Sequence, residues 1–129
     1  MNEKLKGRAA IVTGGGRGIG RAIALAFARE GAHIVLVSKT ASELESAASE
    51  IRRIGGGKGL FYAGDSSQES TAREAVRMCR ETFKETDILV NAAGINGPMG
   101  PVEDADVAAW RQTVDVNLTS AFLFMREVL

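Results

Sequence analysis

Five of the eight residues at positions 13–20, TGGGRGIG, are glycine, more than an ordinary turn requires. They follow a β-forming run at 9–12 and lead into an alanine-rich stretch with helical spacing. The start of a helix presents unpaired N–H groups and the positive end of the helix dipole, which suits a phosphate. Glycine at 14, 18 and 20 lets the backbone turn tightly and approach that phosphate with no Cβ between. Spacing narrows which phosphate. Gly15 and Gly20 stand as far apart as the glycines of a nucleoside-triphosphate loop. Arg21 and Ala22 follow, however, where that loop needs its lysine and its magnesium-binding hydroxyl. The common dinucleotide pattern G-x-G-x-x-G is not spelled either, and the stretch reads T-G-x-x-x-G-x-G.

Other reactive side chains are sparse. The single cysteine, Cys79, excludes an internal disulfide and shares a helical stripe with Val76 and Phe83, which assigns it to the core. The lone histidine, His33, is expected at the surface without a role, and no metal site is expected. Tyr62 is the only tyrosine.

The elements that must position the glycine loop alternate. Short β-rich runs at 9–12, 33–38, 60–64 and 87–92 are separated by longer stretches of helical spacing. The first helix is expected over 21–29, closed by Gly31. The second is expected over 42–54, with Leu44, Ala47, Ala48 and Ile51 on its inner face and Ser42 with Glu45 as a capping box. Ser67 or Ser70 opens a third that runs to about Lys84. A fourth runs from Asp106 to the end, with Val107, Trp110, Val114, Ala121 and Met125 on its inward stripe, while Val116, Leu123 and Phe124 point elsewhere. Strands alternating with helices predict a parallel sheet covered on both faces. The run GGGKG at 55–59 precedes a strand, the wrong edge for a ligand in such a sheet, and is expected to be a turn.

Equal numbers of basic and acidic residues, 16 each, argue against a nucleic-acid or membrane-surface partner. No apolar run reaches signal-peptide or membrane-spanning length, so the expected location is the cytoplasm. The 129 residues suit one domain.

Thr13-Gly14-x-x-x-Gly18-Ile19-Gly20 resembles the cofactor loop of the short-chain dehydrogenase/reductase family. Asn91-Ala92-Ala93-Gly94 resembles that family's Asn-Asn-Ala-Gly motif, with alanine in place of its second asparagine. Asp65, with Ser66 beside it, matches the position that touches the adenine ring, and Asn117 matches the asparagine of the family's Asn-Ser-Tyr-Lys tetrad. The resemblance spans the chain, and its flavour is that of 3-oxoacyl-carrier-protein reductases and related carbonyl or alcohol oxidoreductases. It implies an incomplete Rossmann-type doubly wound α/β fold, with four parallel strands in the order 3-2-1-4 and four helices. Residues 1–129 would be the N-terminal part of a single dinucleotide-binding domain. It also implies a cofactor site at Gly14, Gly16, Arg17, Gly18, Ile19, Gly20 and Asn91 to Gly94, and hydride transfer with a small carbonyl or alcohol substrate.

An NAD site usually has an acid at the end of the second strand to hold the ribose 2′-hydroxyl. Ser38 and Lys39 stand there, Thr40 follows, and no acid precedes Glu43. Lys39 and Arg17 would attract a 2′-phosphate, so NADP is expected over NAD.

The family's proton relay resembles a tyrosine whose pKa is lowered by a nearby lysine, in Tyr-x-x-x-Lys, with a serine orienting the carbonyl. Here Ser66 lies four residues after Tyr62, and Asn117 is the one tetrad position matched. The expectation is therefore an NADP-dependent oxidoreductase truncated before its catalytic serine, tyrosine and lysine, and inactive as 129 residues. The alternative is a non-catalytic nucleotide-binding or dimerisation protein. The fourth strand is expected to expose an unpaired edge, and the last helix, too apolar for one buried side, to pair with its copy in a homo-oligomer.

Overall fold

The computed structural model describes residues 3–129. Four strands, β1 (Ala9–Thr13), β2 (His33–Ser38), β3 (Gly59–Ala63) and β4 (Ile88–Asn91), form one parallel sheet in the order β3-β2-β1-β4. Between them run α1 (Gly18–Arg29), α2 (Ala41–Ile54) and α3 (Glu69–Phe83). After β4 and a short 3-10 turn, α4 (Val107–Val114) passes through a π turn (Asp115–Thr119) into α5 (Ser120–Val128).

The central strands are buried on both faces, which is why they read as continuous apolar runs. Alternation sorts their side chains into two cores. Ala10, Val12, Ile34 and Leu36 pack beneath α1 and α2, against Ala24, Leu44, Ala48 and Ile51. Ala9, Ile11, Val35 and Val37 face α3 and α5, against Val76, Cys79, Leu123 and Phe124. The expected inner face of α2 and the core place of Cys79 are both present. Burial pushes the Cys79 thiol pKa up, against a weaker opposing hydrogen bond from Thr86.

Several expected boundaries move. The glycine loop is shorter than its motif, because Gly18, Ile19 and Gly20 already form the first turn of α1. The capping box at Ser42 does not form: Thr40 is the N-cap, its carbonyl accepts from the Leu44 N–H at 3.2 Å, and Ser42 lies inside the first turn. Helix α3 starts after Gln68 rather than at Ser67 or Ser70, and Ser67 instead bonds back to Asp65. Residues 55–58 make the expected turn, with Gly55 in the left-handed conformation that ends α2.

The last helical segment differs most. Val107, Trp110 and Met125 are exposed, and the buried residues of α5 are Ser120, Leu123 and Phe124. Helix α4 buries none of its residues, which leaves Val107 and Trp110 exposed. The π turn then adds a residue to the helical repeat, so a stripe continued at constant period misses the buried side of α5. His33 is half-buried rather than simply superficial. Its ring stacks on Phe83 at 4.5 Å, and its Nδ1 accepts the Lys58 N–H at 3.0 Å.

Strand β4 pairs only with β1, so its outer edge is open among the described residues, as the strand order requires. No helix of the described residues is long and apolar enough to cross a membrane.

Candidate functional site

All four strands end at one edge of the sheet. The register sets Thr13 beside Val37 on one side and Asn91 on the other, with Ser38 beside Ala63. The chain winds from β1 through β2 to β3, then returns to place β4 on the far side of β1. That reversal opens a crevice between the loops after β1 and β4, where ligands bind in open α/β sheets.

Thr13 holds this crevice together. Its fully buried Oγ1 accepts the N–H groups of Ala92 and Ala93, each at 3.2 Å, and donates to the Val90 carbonyl at 3.5 Å. Gly14 follows with φ +64°, and a Cβ there would stand 2.7 Å from the Ala92 carbonyl oxygen. A Cβ on Gly20 would stand 2.1 Å from the Gly14 carbonyl oxygen, so only glycine lets α1 close on the loop. Sequence reasoning used Thr13 as a motif letter only. A hydroxyl ending an otherwise apolar buried run was the available signal, since such a group must find partners.

The N-cap of α1, Arg17, is extended and caps nothing with its side chain, which leaves the first N–H groups of the helix without a capping side chain. They border a cleft of about 450 Å³ lined by Gly14, Gly16, Arg17, Gly18, Ile19 and Gly20. This volume falls in the range of small-molecule sites, roughly 300–1,000 Å³. The end of β2 contributes Ser38, Lys39 and Thr40, the end of β3 contributes Gly64, Asp65 and Ser66, and the end of β4 contributes Ala92 to Ile95. Glu43 from α2, Gln112 from α4 and Val116 from the π turn complete the wall.

Glu43, Gly64, Ile95, Gln112 and Val116 were not expected from the sequence. Asn91 was expected here but lies outside the lining, exposed at the end of β4. Asn117 is also outside it, and exposed. It acts on the wall through the backbone: Oδ1 accepts the Ile95 N–H at 2.8 Å, and Nδ2 donates to the Ile95 carbonyl at 2.9 Å. The π turn carries Asn117 to this position.

Charge in the cleft is mixed. Lys39 Nζ lies 3.8 Å from Asp65 Oδ2. Asp65 Oδ1 accepts the Ser67 N–H at 2.9 Å and the Ser67 hydroxyl at 2.7 Å. Burial pushes the Asp65 pKa up, but these hydrogen bonds and the Lys39 charge outweigh it and hold the carboxyl below its ordinary value. An uncapped helix end, a close glycine approach and two cations, Arg17 and Lys39, border the same cleft as the carboxylates of Glu43 and Asp65. No group of three or more His, Cys, Asp or Glu side chains among the described residues is placed to hold a metal.

The profile of the family described as short chain dehydrogenase matches residues 8–129. A short chain dehydrogenase/reductase of Macrophomina phaseolina is 33% identical over 125 residues, which cover 97% of this chain and 71% of that protein. The crystal structure of a 3-ketoacyl-ACP reductase from Sinorhizobium meliloti superposes with a TM-score of 0.88 at 39% identity, over 93% of this chain and 47% of the other. That of L-sorbose reductase from Gluconobacter frateurii, complexed with NADPH and L-sorbose, gives a TM-score of 0.91 at 34% identity, over 99% of this chain and 48% of the other. The chain thus spans about half the length of these solved relatives. The family match, the fold and the crevice at the strand ends agree, and the chain belongs to the short-chain dehydrogenase family.

Proposed function

We propose that this chain is the cofactor-binding portion of an NADP-dependent oxidoreductase that interconverts a small carbonyl compound and its alcohol. The observation that carries the reading is the joining of the glycine loop to the loop after β4 through Thr13, at the point where the sheet reverses direction. The pyrophosphate is assigned to the first turn of α1, with Gly14 and Gly20 leaving room for its approach. Asp65 and Ser66 border the adenine, while Arg17, Ser38, Lys39 and Thr40 receive the 2′-phosphate. Asn91 to Gly94 lie toward the nicotinamide half, and Asn117 fixes the backbone at Ile95 beside it. The bound cofactor supplies or accepts the hydride.

Proton transfer needs a group that this stretch of chain lacks. Tyr62 lies on β3 and is followed four residues later by Ser66, so no Tyr-x-x-x-Lys pair is present in the 129 residues. The 129-residue chain is therefore expected to bind cofactor without turning over a carbonyl substrate. A cytoplasmic protein that pairs through its last helix fits the same reading, supported by the exposed Trp110, Leu118, Phe122 and Met125.

Titration of the chain with NADPH and NADH, followed by nicotinamide fluorescence, tests the proposal. Saturable binding with NADPH tighter than NADH is expected. No binding of either cofactor would refute the site, and tighter NADH would refute the NADP assignment.

A further inference from the structure

We infer that Glu43 is a specificity-determining residue, a counter-charge that opposes a ribose 2′-phosphate in the cleft and narrows the preference for NADP over NAD. The inference rests on the nucleotide-binding reading above and concerns a residue to which that reading gives no role. Glu43 stands in the first turn of α2, half-buried, and lines the same cleft as Arg17, Ser38 and Lys39. A Cβ built on Gly16 would lie 3.2 Å from the Glu43 Cβ and 3.2 Å from the Ser38 Oγ. The glycine loop, the end of β2 and Glu43 therefore border one narrow gap.

Lys39 already faces a carboxylate, that of Asp65 at 3.8 Å. Among the described residues no cation lies within ion-pair distance of Glu43, whereas the other Glu on the inner half of α2, Glu50, is held by Arg21 at 2.7 Å. The charged groups of the cleft are thus Arg17 and Lys39 against Glu43 and Asp65, and their formal charges cancel. A 2′-phosphate brings roughly 1.5 to 2 negative charges at neutral pH. It gains from Arg17, must share Lys39 with Asp65, and meets the field of Glu43. The 2′-hydroxyl of NAD brings no charge and is not repelled. An acid in the first turn also stabilises a helix through its dipole, so the test needs a readout that helix stability does not move.

The probes are 2′,5′-ADP and 5′-AMP, which differ by the 2′-phosphate alone, titrated by calorimetry into the chain and into Glu43→Gln. In a solvent-open cleft, removing one unit charge that faces the phosphate is expected to change binding by about 3- to 10-fold. The expected result is a ratio of affinities, 2′,5′-ADP over 5′-AMP, that rises by that factor in Glu43→Gln and rises less at high salt. Glu43→Asp, which keeps the charge and the helix-end interaction, is expected to hold the ratio near that of the parent. An unchanged or lowered ratio in Glu43→Gln overturns the inference while leaving the nucleotide site standing, provided 5′-AMP binds. If the parent chain binds neither probe, the site reading falls and the inference falls with it. Should Glu43→Gln fail to fold, Glu43→Lys read against Glu43→Asp tests the same sign, and an equal ratio in the two is refutation.

Discussion

At the scale of single residues, Thr13 and Asp65 show how one side chain fixes two segments. Threonine suits the end of a strand by its branched Cβ, and its hydroxyl both donates and accepts. Thr13→Val keeps the shape and leaves the N–H groups of Ala92 and Ala93 without their acceptor. Loss of about 1–3 kcal/mol is expected in urea unfolding, with cofactor binding weakened because the loop after β4 is released; Thr13→Ser is expected to restore most of both. A valine variant as stable as the parent would show that the hydroxyl is dispensable. Asp65 makes a prediction about pH. Its pKa is lower in the fold than in the open chain, so the ionised form favours folding. Its contribution is fully present above about pH 4 and is lost as pH falls through the lower native value. Stability curves of the parent and Asp65→Asn are expected to separate above about pH 4 and converge at more acid pH. Curves that stay parallel throughout acid titration would remove Asp65 as their source.

At the scale of elements, the strands were legible and the last helical face was not, and the reason differs for each. Ile11, Val12 and residues 34–37 are buried on both faces, so their apolar run needs no phase to be read. The stripe through Trp110 and Met125 assumes one packed helix of constant period, whereas α4 buries nothing and the π turn at Asp115–Thr119 shifts the phase before α5. Nothing local announces that turn; it accompanies the hold of Asn117 on Ile95, 22 residues away in sequence. Helix starts were misplaced because Arg17, Thr40 and Gln68 precede their helices without a side-chain capping bond. In the cleft, the glycine loop and Asp65 were legible from motifs, while Glu43, Gln112 and Val116 enter only because the fold brings their helices to the same edge. The two versions of the helix face predict opposite results. Phe124 is fully buried against the sheet, and Phe124→Ala is expected to cost about 3–5 kcal/mol. Trp110 is 57% exposed, and Trp110→Ala is expected to stay within about 0.5 kcal/mol. Thermal or urea unfolding of the pair ranks them, and a larger loss at Trp110 would return the stripe read from sequence.

At the scale of the whole molecule, two surfaces compete to explain any self-association. One is the edge of β4, open among the described residues, a row of unpaired backbone groups that carries half-buried Ile88, Leu89 and Val90. The other is the outer side of the last helices, where Leu118, Phe122 and Met125 are 66%, 53% and 47% exposed. With formal net charge zero, long-range repulsion does little to keep copies apart. The surfaces predict different assemblies. A strand edge recruits further strands and grows without a fixed stoichiometry, whereas a helix face paired about a two-fold axis closes as a dimer. Phe122→Glu with Met125→Glu charges the helix face on its solvent side and leaves the buried Leu123 and Phe124 untouched, so the fold is expected to persist by circular dichroism. Sedimentation velocity is expected to show a concentration-dependent dimer for the parent and a monomer for the double variant. A variant that still associates, and gains amyloid-dye binding as it does so, would assign the contact to the β4 edge and remove the helix face from the proposal.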